Sequence, residues 1–316
     1  MDKKILVILG STAVGKSALA VRLAKKLNGE VISADSRQVY RGLNIGTGKI
    51  TEKEMLGVPH HLLDVISPKK QFSAADFVLL GRAVIADTMA RGHIPIICGG
   101  TGFYIDALLG KISLPSVPPN PKLRAKLEKK SASELFAMLK KLIPTRAKTI
   151  DRNNSRRLIR AIEVAKNSKK SAQVRPAQFA GLTCAEDSAT IIKIGLTLSP
   201  EKLKEKIRLR LLSRLRSGMI AEVVKLHHQG LSWKRMEELG LEYRYIARFL
   251  QKKMTEREMI EKLNTEIWHY AKRQMTWFKR DKDIDWFKPK ETRNIIKTTE
   301  QFLDRKKRLP WRVGVV

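Results

Sequence analysis

Short apolar stretches alternate with helical periodicity over roughly the first 112 residues of the chain. The stretches Ile5–Leu9, Glu30–Ala34 and His93–Cys98 have the length and composition of buried strands. Between them, apolar residues recur every three or four positions, as they do on one face of a helix. Strands that alternate with helices in this way are typical of a parallel sheet with crossover helices. The pattern therefore predicts an α/β fold.

Polar residues mark the ends of several predicted helices. The first helix stops at Asn28-Gly29, a pair that favours a left-handed C-cap. Ser73–Asp76 is a capping box for a helix that extends to about Arg91, and Thr255–Glu258 is another. Ser199-Pro200 begins a long helix, because serine caps the first turn and proline fits within it.

A proline-rich stretch interrupts the α/β pattern. Four prolines fall within Leu114–Pro121, which can continue neither a helix nor a central strand. We predict that a small helical domain, residues 117–188, is inserted here. The α/β core then comprises residues 1–116 and 189–288, and a basic tail covers 289–316. The helices of the insert are predicted near residues 121–130, 133–142 and 155–167.

One motif joins the first predicted strand to the first helix and has the features of a phosphate site. It is GxxxxGKS, formed by Gly10, Ser11, Thr12, Ala13, Val14, Gly15, Lys16 and Ser17. Its glycines let successive backbone N–H groups converge on one anion, to which the helix N-terminus and Lys16 add positive charge. Ser17 is placed to bind a magnesium ion that bridges two phosphates. The motif therefore predicts a P-loop that binds a diphosphate or triphosphate.

A carboxylate is predicted at the same edge of the sheet as the P-loop. Asp35 follows the second strand, and Thr101 lies in the glycine-rich stretch after the third. Ligands of doubly wound sheets bind at the carboxyl ends of the strands, so these residues should line one crevice. The strand before Thr101 does not end in the acid with which an ordinary P-loop NTPase organises magnesium and water. This arrangement favours displacement of diphosphate by an outside nucleophile over hydrolysis.

Six sequence blocks together identify a family resemblance. They are the P-loop, Asp35–Gly42, Gly46–Lys49, Pro59–Asp64, Gly99–Tyr104 and Ala271–Trp277. In this order they resemble the tRNA dimethylallyltransferase (bacterial tRNA isopentenyltransferase) family over about residues 3–288. The resemblance implies a P-loop NTPase-like core. It also implies transfer of a dimethylallyl group from dimethylallyl diphosphate to N6 of the adenine at tRNA position 37, just 3′ of the anticodon.

The chemistry and the resemblance together indicate four catalytic residues. Asp35 is the predicted general base, since the adenine amine becomes nucleophilic as its proton leaves; the alternatives are a helix cap or a water-mediated magnesium ligand. Lys16 meets the charge that builds on the diphosphate. Thr101 orients the amine or the bridging oxygen. The alternative is that it only stabilises the glycine-rich turn in which it lies. The resemblance favours Arg210 as a diphosphate ligand and leaves Arg208, on another helix face, to solvent.

RNA contacts are predicted in several segments. The target base must leave its stack to reach Asp35, and unstacked bases are recognised by edge hydrogen bonds and by stacking. The predicted tRNA-contacting residues are Asp35, Ser36, Arg37, Gln38, Thr101, Arg124, Ile159, Arg160, Ala161, Ile162, Glu163, Tyr243 and Arg244. Basic and aromatic residues around Lys272 and Trp277 also suit RNA, although core packing is the favoured alternative for Trp268 and Trp277.

Charge supports a polyanionic partner. The 316 residues include 63 basic and 31 acidic side chains, a formal net charge of +32 that attracts nucleic acid. The two cysteines, Cys98 and Cys184, have no CxxC spacing and indicate neither a metal cluster nor a disulfide framework. The chain starts directly in the first strand and has no segment as long as a membrane span. We therefore expect a cytoplasmic protein with no membrane partner, and a monomer.

The chain departs from the family pattern at several positions. Val14 replaces a small polar residue in the P-loop, and Gly48 and Ile50 replace the usual alanine and proline. Ile159 stands where glutamine is frequent, which leaves the base contact there in doubt. Glu242 stands where glycine is common, so the turn at that point is expected to differ.

Three other functions share part of this evidence. A prenyltransferase for free adenine nucleotides would share the P-loop and Asp35, but would need neither the insert nor the high charge. A small-molecule or RNA kinase would share Lys16 and Ser17, but would bind ATP and transfer phosphate. A non-catalytic RNA-binding protein would account for the charge and leave the P-loop without a purpose.

Overall fold

Within the described residues, a single parallel sheet of six strands organises the fold. The structure is a computed structural model and describes residues 3–171 and 189–304. The strands are β1 (Lys4–Gly10), β2 (Gly29–Ala34), β3 (His60–His61), β4 (Ile94–Gly99), β5 (Thr190–Leu196) and β6 (Ile284–Phe287). Their order across the sheet is β3-β2-β4-β1-β5-β6. The predicted α/β class is confirmed.

Helices make up most of the rest of the described chain. They are α1 (Lys16–Leu27), α2 (Glu52–Met55), α3 (Ala74–Ala90), α4 (Gly102–Leu108), α5 (Pro121–Leu127), α6 (Ala132–Leu142), α7 (Pro144–Ala147), α8 (Ser155–Ser171), α9 (Pro200–Arg216), α10 (Met219–His228), α11 (Trp233–Leu239), α12 (Leu241–Leu250), α13 (Glu256–Phe278) and α14 (Thr292–Asp304). The predicted capping boxes are confirmed, since the Ser73 and Thr255 hydroxyls accept the N–H groups of Asp76 and Glu258. None of the described helices is long and apolar enough to cross a membrane.

The strand order brings three loops together. β1 lies between β4 and β5, and Leu6 is in register with Ile96 on one side and Ile192 on the other. β2 pairs with β4 on the far side from β1. The P-loop follows β1, the Asp35 segment follows β2 and Thr101 follows β4, so all three lie at the carboxyl edge of neighbouring strands.

One face of the sheet packs into an apolar core shared with the C-terminal helices. Leu6 of β1 and Leu23 of α1 belong to the same buried cluster as Ile207 of α9, Val223 of α10 and Leu263 of α13. Each of these side chains is almost fully removed from solvent. The burial explains why α9 and α13, which contribute residues to the candidate site below, are held firmly against the P-loop strand.

The chain divides into two compact units. One comprises Met1–Ile112 and Ala185–Val316, and the other comprises Ser113–Cys184. The sequence analysis placed the insert at 117–188. The second unit has an apolar cluster of its own, which includes Leu127 of α5, Leu135 of α6 and Leu158 of α8. The insert is therefore a small helical body with its own buried side chains.

The residues predicted as a basic tail include an ordered helix. α14 buries Ile295 completely within the main core cluster, and its Glu300 pairs with Lys26 at 2.8 Å. The predicted boundary at 288 is corrected by this packing, since the core continues to at least Asp304. The basic run Arg305–Arg308 and Cys184 lie outside the described residues.

Candidate active site

The P-loop turns tightly between β1 and α1. Gly10 has φ 140°, and a side chain there would meet the backbone oxygen of Leu196 at 2.4 Å. Gly15, with φ 97°, adopts the left-handed conformation just before α1. In the described part of the chain, no side chain caps the N-terminus of α1. Its first N–H groups are therefore available to an anion.

Lys16 lies over the loop. Its Nζ donates to the backbone oxygen of Ser11 at 2.7 Å. Removal of the half-buried ammonium from water lowers its pKa to about 8; the nearby Arg210 acts in the same direction, whereas Cys98 and Asp35 oppose it. An anion in the cradle would stabilise the charged form of Lys16.

Asp35 is fixed by one of its two carboxylate oxygens. Oδ1 accepts the N–H of Arg37 at 2.8 Å and that of Gln38 at 3.3 Å. These bonds close a local turn over residues 35–38, and no described helix begins there, so Asp35 is not the helix cap that the sequence analysis gave as an alternative. Within the described residues, Oδ2 has no hydrogen-bond partner, so the carboxylate can be held by the turn and still accept a proton.

Thr101 is tied to the Asp35 segment. Its Oγ1 accepts the N–H of Ser36 at 3.2 Å, and its own N–H donates to the oxygen of Ala34 at 3.2 Å. Tyr270 of α13 also lies close to Thr101, and burial together with the nearby Asp35 raises the pKa of Tyr270. The sequence analysis did not identify Tyr270.

Gln274 lies in Ala271–Trp277, one of the six sequence blocks, and it joins two loops of the site. It lies one turn after Tyr270 on the same face of α13. Its Oε1 accepts the N–H of Thr12 at 2.8 Å, and its Nε2 donates to the oxygen of Gly100 at 2.8 Å. A buried amide among the apolar residues of this helix face was the signal that could have singled it out.

Arg210 approaches the P-loop from α9. Nη1 donates to the Thr12 hydroxyl at 3.4 Å, and Nη2 donates to the oxygen of Gly48 at 3.4 Å. Burial, and then the adjacent Arg214, lowers the pKa of Arg210 to about 10. Arg208 is exposed. The expectation that Arg208 and Arg210 face different ways is confirmed, and Arg214 is a cation that the sequence analysis missed.

The residues predicted to contact RNA in the insert are largely bonded to one another. The Glu163 carboxylate is completely buried and accepts the N–H of Asn120 at 2.6 Å and two bonds from Arg124 at 2.9 and 2.8 Å. Arg160 donates to the same carboxylate. Ile162 is fully buried and Ile159 nearly so. The prediction that the side chains of Glu163 and Ile162 contact RNA is therefore corrected to a structural role.

Tyr243 needs the same correction. Only 1% of it is exposed, and its hydroxyl donates to Glu222 Oε1 at 2.8 Å. Glu222 also accepts the N–H groups of the loop that begins at Asn44, so the pair anchors that loop below the site. Arg244 donates to the backbone oxygen of Glu237 and remains partly exposed.

These features together define a class of protein. A parallel sheet with a P-loop after its central strand, and a carboxylate after a nearby strand, defines a P-loop α/β protein whose crevice brings an N–H cradle and a carboxylate together. A model of the IPP transferase family matches residues 38–281, and a model of the isopentenyl transferase family matches residues 3–72. This chain belongs to the IPP transferase family.

Individual relatives agree with this membership. A tRNA dimethylallyltransferase of Anoxybacillus flavithermus is 39% identical over 91% of this chain and 91% of its own length. A tRNA dimethylallyltransferase 2 of Treponema denticola is 44% identical over 87% of this chain and 91% of its own.

Solved structures share the fold. The full-length tRNA isopentenylpyrophosphate transferase of Bacillus halodurans aligns with TM-score 0.70 and 35% identity, over 96% of this chain and 97% of its own. A eukaryotic dimethylallyltransferase, in a structural study of its action on tRNA, aligns with TM-score 0.77 and 26% identity, over 97% of this chain and 81% of its own. The predicted P-loop NTPase-like core is thereby confirmed, and the chain is a transferase.

Proposed function

We propose that this chain transfers a dimethylallyl group from dimethylallyl diphosphate to N6 of the adenine at tRNA position 37, releasing diphosphate. The curated relatives are named tRNA dimethylallyltransferases, which supports the group transferred and the class of acceptor. The observation in the structure that supports it most directly is Asp35, whose Oδ1 is fixed by Arg37 and Gln38 while its charge acts on Lys16 of the P-loop. A proton acceptor and a phosphate cradle thus share one crevice.

The proposed reaction uses the crevice as follows. Asp35 Oδ2 accepts a proton from the adenine amine, whose nitrogen electrons form a bond to the first carbon of the prenyl group. The bond from that carbon to the diphosphate oxygen breaks, and its electron pair remains on the diphosphate. Lys16, Arg210 and the P-loop N–H groups stabilise the charge where it accumulates. Thr101, whose hydroxyl accepts the Ser36 N–H, orients the amine or the bridging oxygen.

The residues at the P-loop fit a magnesium ion. Magnesium is usually held by one or two protein oxygens together with phosphate oxygens of the substrate, and it does not need a dedicated cage of side chains. Ser17 is exposed at the start of α1, and among the described residues no group of three or more acidic, histidine or cysteine side chains could hold a metal. We propose that Ser17 and the diphosphate hold magnesium, which would offset charge on the leaving group.

The anticodon stem-loop of tRNA is the proposed partner of the partly exposed residues beside Asp35. Arg37 and Gln38 offer a guanidinium and an amide next to the base. Lys272 and Lys204 lie over the Trp268 ring, at 5.7 and 5.1 Å from its centroid. This partly buried aromatic residue packs against the core and has two cations near its ring, which suits a nucleic-acid backbone. The protein is proposed to act as a monomer, in the cytoplasm where tRNA is found.

The test combines purified protein, magnesium, dimethylallyl diphosphate and unmodified tRNA, and then measures nucleoside masses after digestion of the RNA. We expect an adenosine heavier by one dimethylallyl group. Lys16→Ala should abolish it, whereas Lys25→Ala, which removes an exposed lysine of the same helix, should not. No mass shift, together with consumption of ATP in a parallel reaction that contains ATP, would support the kinase alternative and overturn the proposal.

A further inference from the structure

Two arginines on one face of α9 meet at the P-loop. Arg214 follows Arg210 by one helical turn, and its exposed fraction is 14%. Both line a small cavity with Thr12 and Ala13 of the P-loop, whose volume of about 20 Å³ holds one water or one phosphate oxygen. The crevice therefore presents a second guanidinium to the site of the predicted anion.

Gly48 makes room for both guanidinium groups. A Cβ added there would lie 1.6 Å from Nη2 of Arg214 and 2.3 Å from Nη2 of Arg210. The two side chains therefore converge on the volume that a side chain at residue 48 would fill. Two like charges brought this close repel each other, so the arrangement needs negative charge nearby.

The structure supplies one such charge from the protein. Glu242, 15% exposed, lies 3.3 Å from Nη1 of Arg214, which also donates to the backbone oxygen of Gly46 at 3.2 Å. One long contact is a weak hold for a buried carboxylate. With Lys16 included, three cations face the carboxylates of Asp35 and Glu242 beside an N–H cradle, and the exposed Glu54 is the weakest of the three carboxylates that act on Arg210.

We propose that Arg214 is a second diphosphate-binding arginine, and that Glu242 competes with the diphosphate for it. When the site is empty, Glu242 is the counter-ion of Arg214; when diphosphate binds, its oxygens take over the guanidinium. The competition limits the affinity for diphosphate and so assists release of the product. The proposal rests on the proposed function only for the identity of the leaving group.

The test titrates the full-length protein with inorganic diphosphate and magnesium by calorimetry. Arg214→Gln should weaken diphosphate binding about tenfold, because a charge-assisted hydrogen bond is lost. Arg208→Gln, an equal change of charge on the exposed face of α9, should have little effect. Arg214→Lys, which keeps the charge and loses the planar fork, should lie between them.

The role of Glu242 is tested by a substitution that should change the diphosphate affinity in the opposite direction. Glu242→Gln should tighten diphosphate binding several-fold and strengthen product inhibition, and in the Arg214→Gln background the same change should have little effect. In the transfer assay, Arg214→Gln should raise the KM for dimethylallyl diphosphate and leave the KM for tRNA unchanged. Thermal unfolding of each variant checks that the chain still folds.

Two results would overturn the proposal. Unchanged diphosphate affinity in folded Arg214→Gln would remove Arg214 from the site. Weaker binding in Glu242→Gln would show that Glu242 holds Arg214 in place and does not compete. The outcome is separate from that of the proposed function, because binding of inorganic diphosphate requires no transfer. A wild-type protein that binds diphosphate and prenylates no tRNA would refute only the reaction.

Discussion

Two clusters in this protein have the same composition and opposite character. Each contains one carboxylate with two arginines around it. In the insert, Glu163 is completely buried and accepts bonds from Arg124, Arg160 and a backbone N–H. In the crevice, Glu242 has one contact of 3.3 Å with Arg214. The carboxylate of the first cluster has its hydrogen bonds and counter-charges within the protein, whereas that of the second has one long contact.

The pKa values of the two carboxyls express this difference. Burial acts to raise both. At Glu163 the hydrogen bonds from Arg124, Asn120 and Arg160 outweigh burial, and the pKa falls to about 2. At Glu242 burial outweighs the attraction of Arg214, and the pKa is raised. Two arginines beside one carboxylate thus have a structural role where the carboxylate accepts hydrogen bonds from both. They indicate a ligand site where part of their positive charge has no partner in the protein.

The largest effect is expected at the reacting carboxylate of the crevice. Asp35→Ala should reduce the single-turnover rate of prenyl transfer about 10³-fold, the range of a lost general base, while binding of tRNA and diphosphate changes little. Asp35→Asn keeps an oxygen that can accept the Arg37 and Gln38 N–H groups, and should lose the same activity. Normal turnover of the asparagine variant would mean that Asp35 only shapes its turn.

Next in size is the loss of the saturated carboxylate. Glu163→Ala leaves Arg124 and Arg160 without their acceptor, and should lower the free energy of unfolding by about 2–4 kcal/mol, somewhat less than for fully buried pairs because both arginines are about one-third exposed. Glu242→Ala should cost less, because burial already disfavours the charged form of Glu242 and only one long contact with Arg214 is lost. Urea unfolding measures both. Equal losses at the two sites would refute the contrast between the clusters.

The pH dependence of the Glu163 contribution follows from the same pKa. Its folded-state pKa of about 2 lies below the ordinary value of 4.5, so folding favours the ionised form. The stabilisation is complete above about pH 4.5 and is lost as the pH falls toward 2. The wild type should therefore lose more stability between pH 5 and 3 than Glu163→Ala does.

A smaller effect is expected from Lys16. With a pKa of about 8 in the empty site, Lys16 is charged at pH 7 and largely neutral at pH 9. Diphosphate affinity should therefore fall by up to about tenfold over this interval, although diphosphate itself gains charge as the pH rises. Calorimetry of Lys16→Arg, which stays charged, provides the control. The same profile in both proteins would exclude titration of Lys16 as the cause.

Local signals in the sequence predicted the elements that depend on local chemistry. The apolar runs at β1, β2 and β4 were identified from length and composition, and the caps at Ser73 and Thr255 from residue spacing. α14 was missed because its buried residues, Ile295 and Thr299, are few, and lie in a segment dominated by polar residues. The short strands β3 and β6 have too few residues for a recognisable period.

Residues of the candidate site could be predicted from the sequence where a motif or a preceding strand defines their place. They could not be predicted where their role depends on how distant segments pack together. The P-loop was identified from its motif, and the position of Asp35 at the same edge of the sheet was predicted from the strand that precedes it. Tyr270 and Gln274 acquire theirs only because α13 crosses the P-loop, and Arg214 only because residue 48 has no side chain. Glu163 was predicted to contact RNA for the converse reason: its burial depends on the packing of α8 against α5 and is invisible in the sequence.

The smallest predicted effect is on the salt dependence of tRNA binding, and it distinguishes two arginines of α8 that are equivalent by sequence alone. Arg157 is exposed, whereas Arg160 donates to Glu163 and to the oxygen of Val117. A cation already paired with a buried carboxylate releases few counter-ions when RNA binds, so Arg157→Gln should lower the salt slope of tRNA binding by about one, and Arg160→Gln by clearly less. Filter binding at several salt concentrations measures both slopes. An unchanged slope in Arg157→Gln would remove this face of the insert from the RNA footprint, and equal reductions would show that RNA displaces Arg160 from its carboxylate.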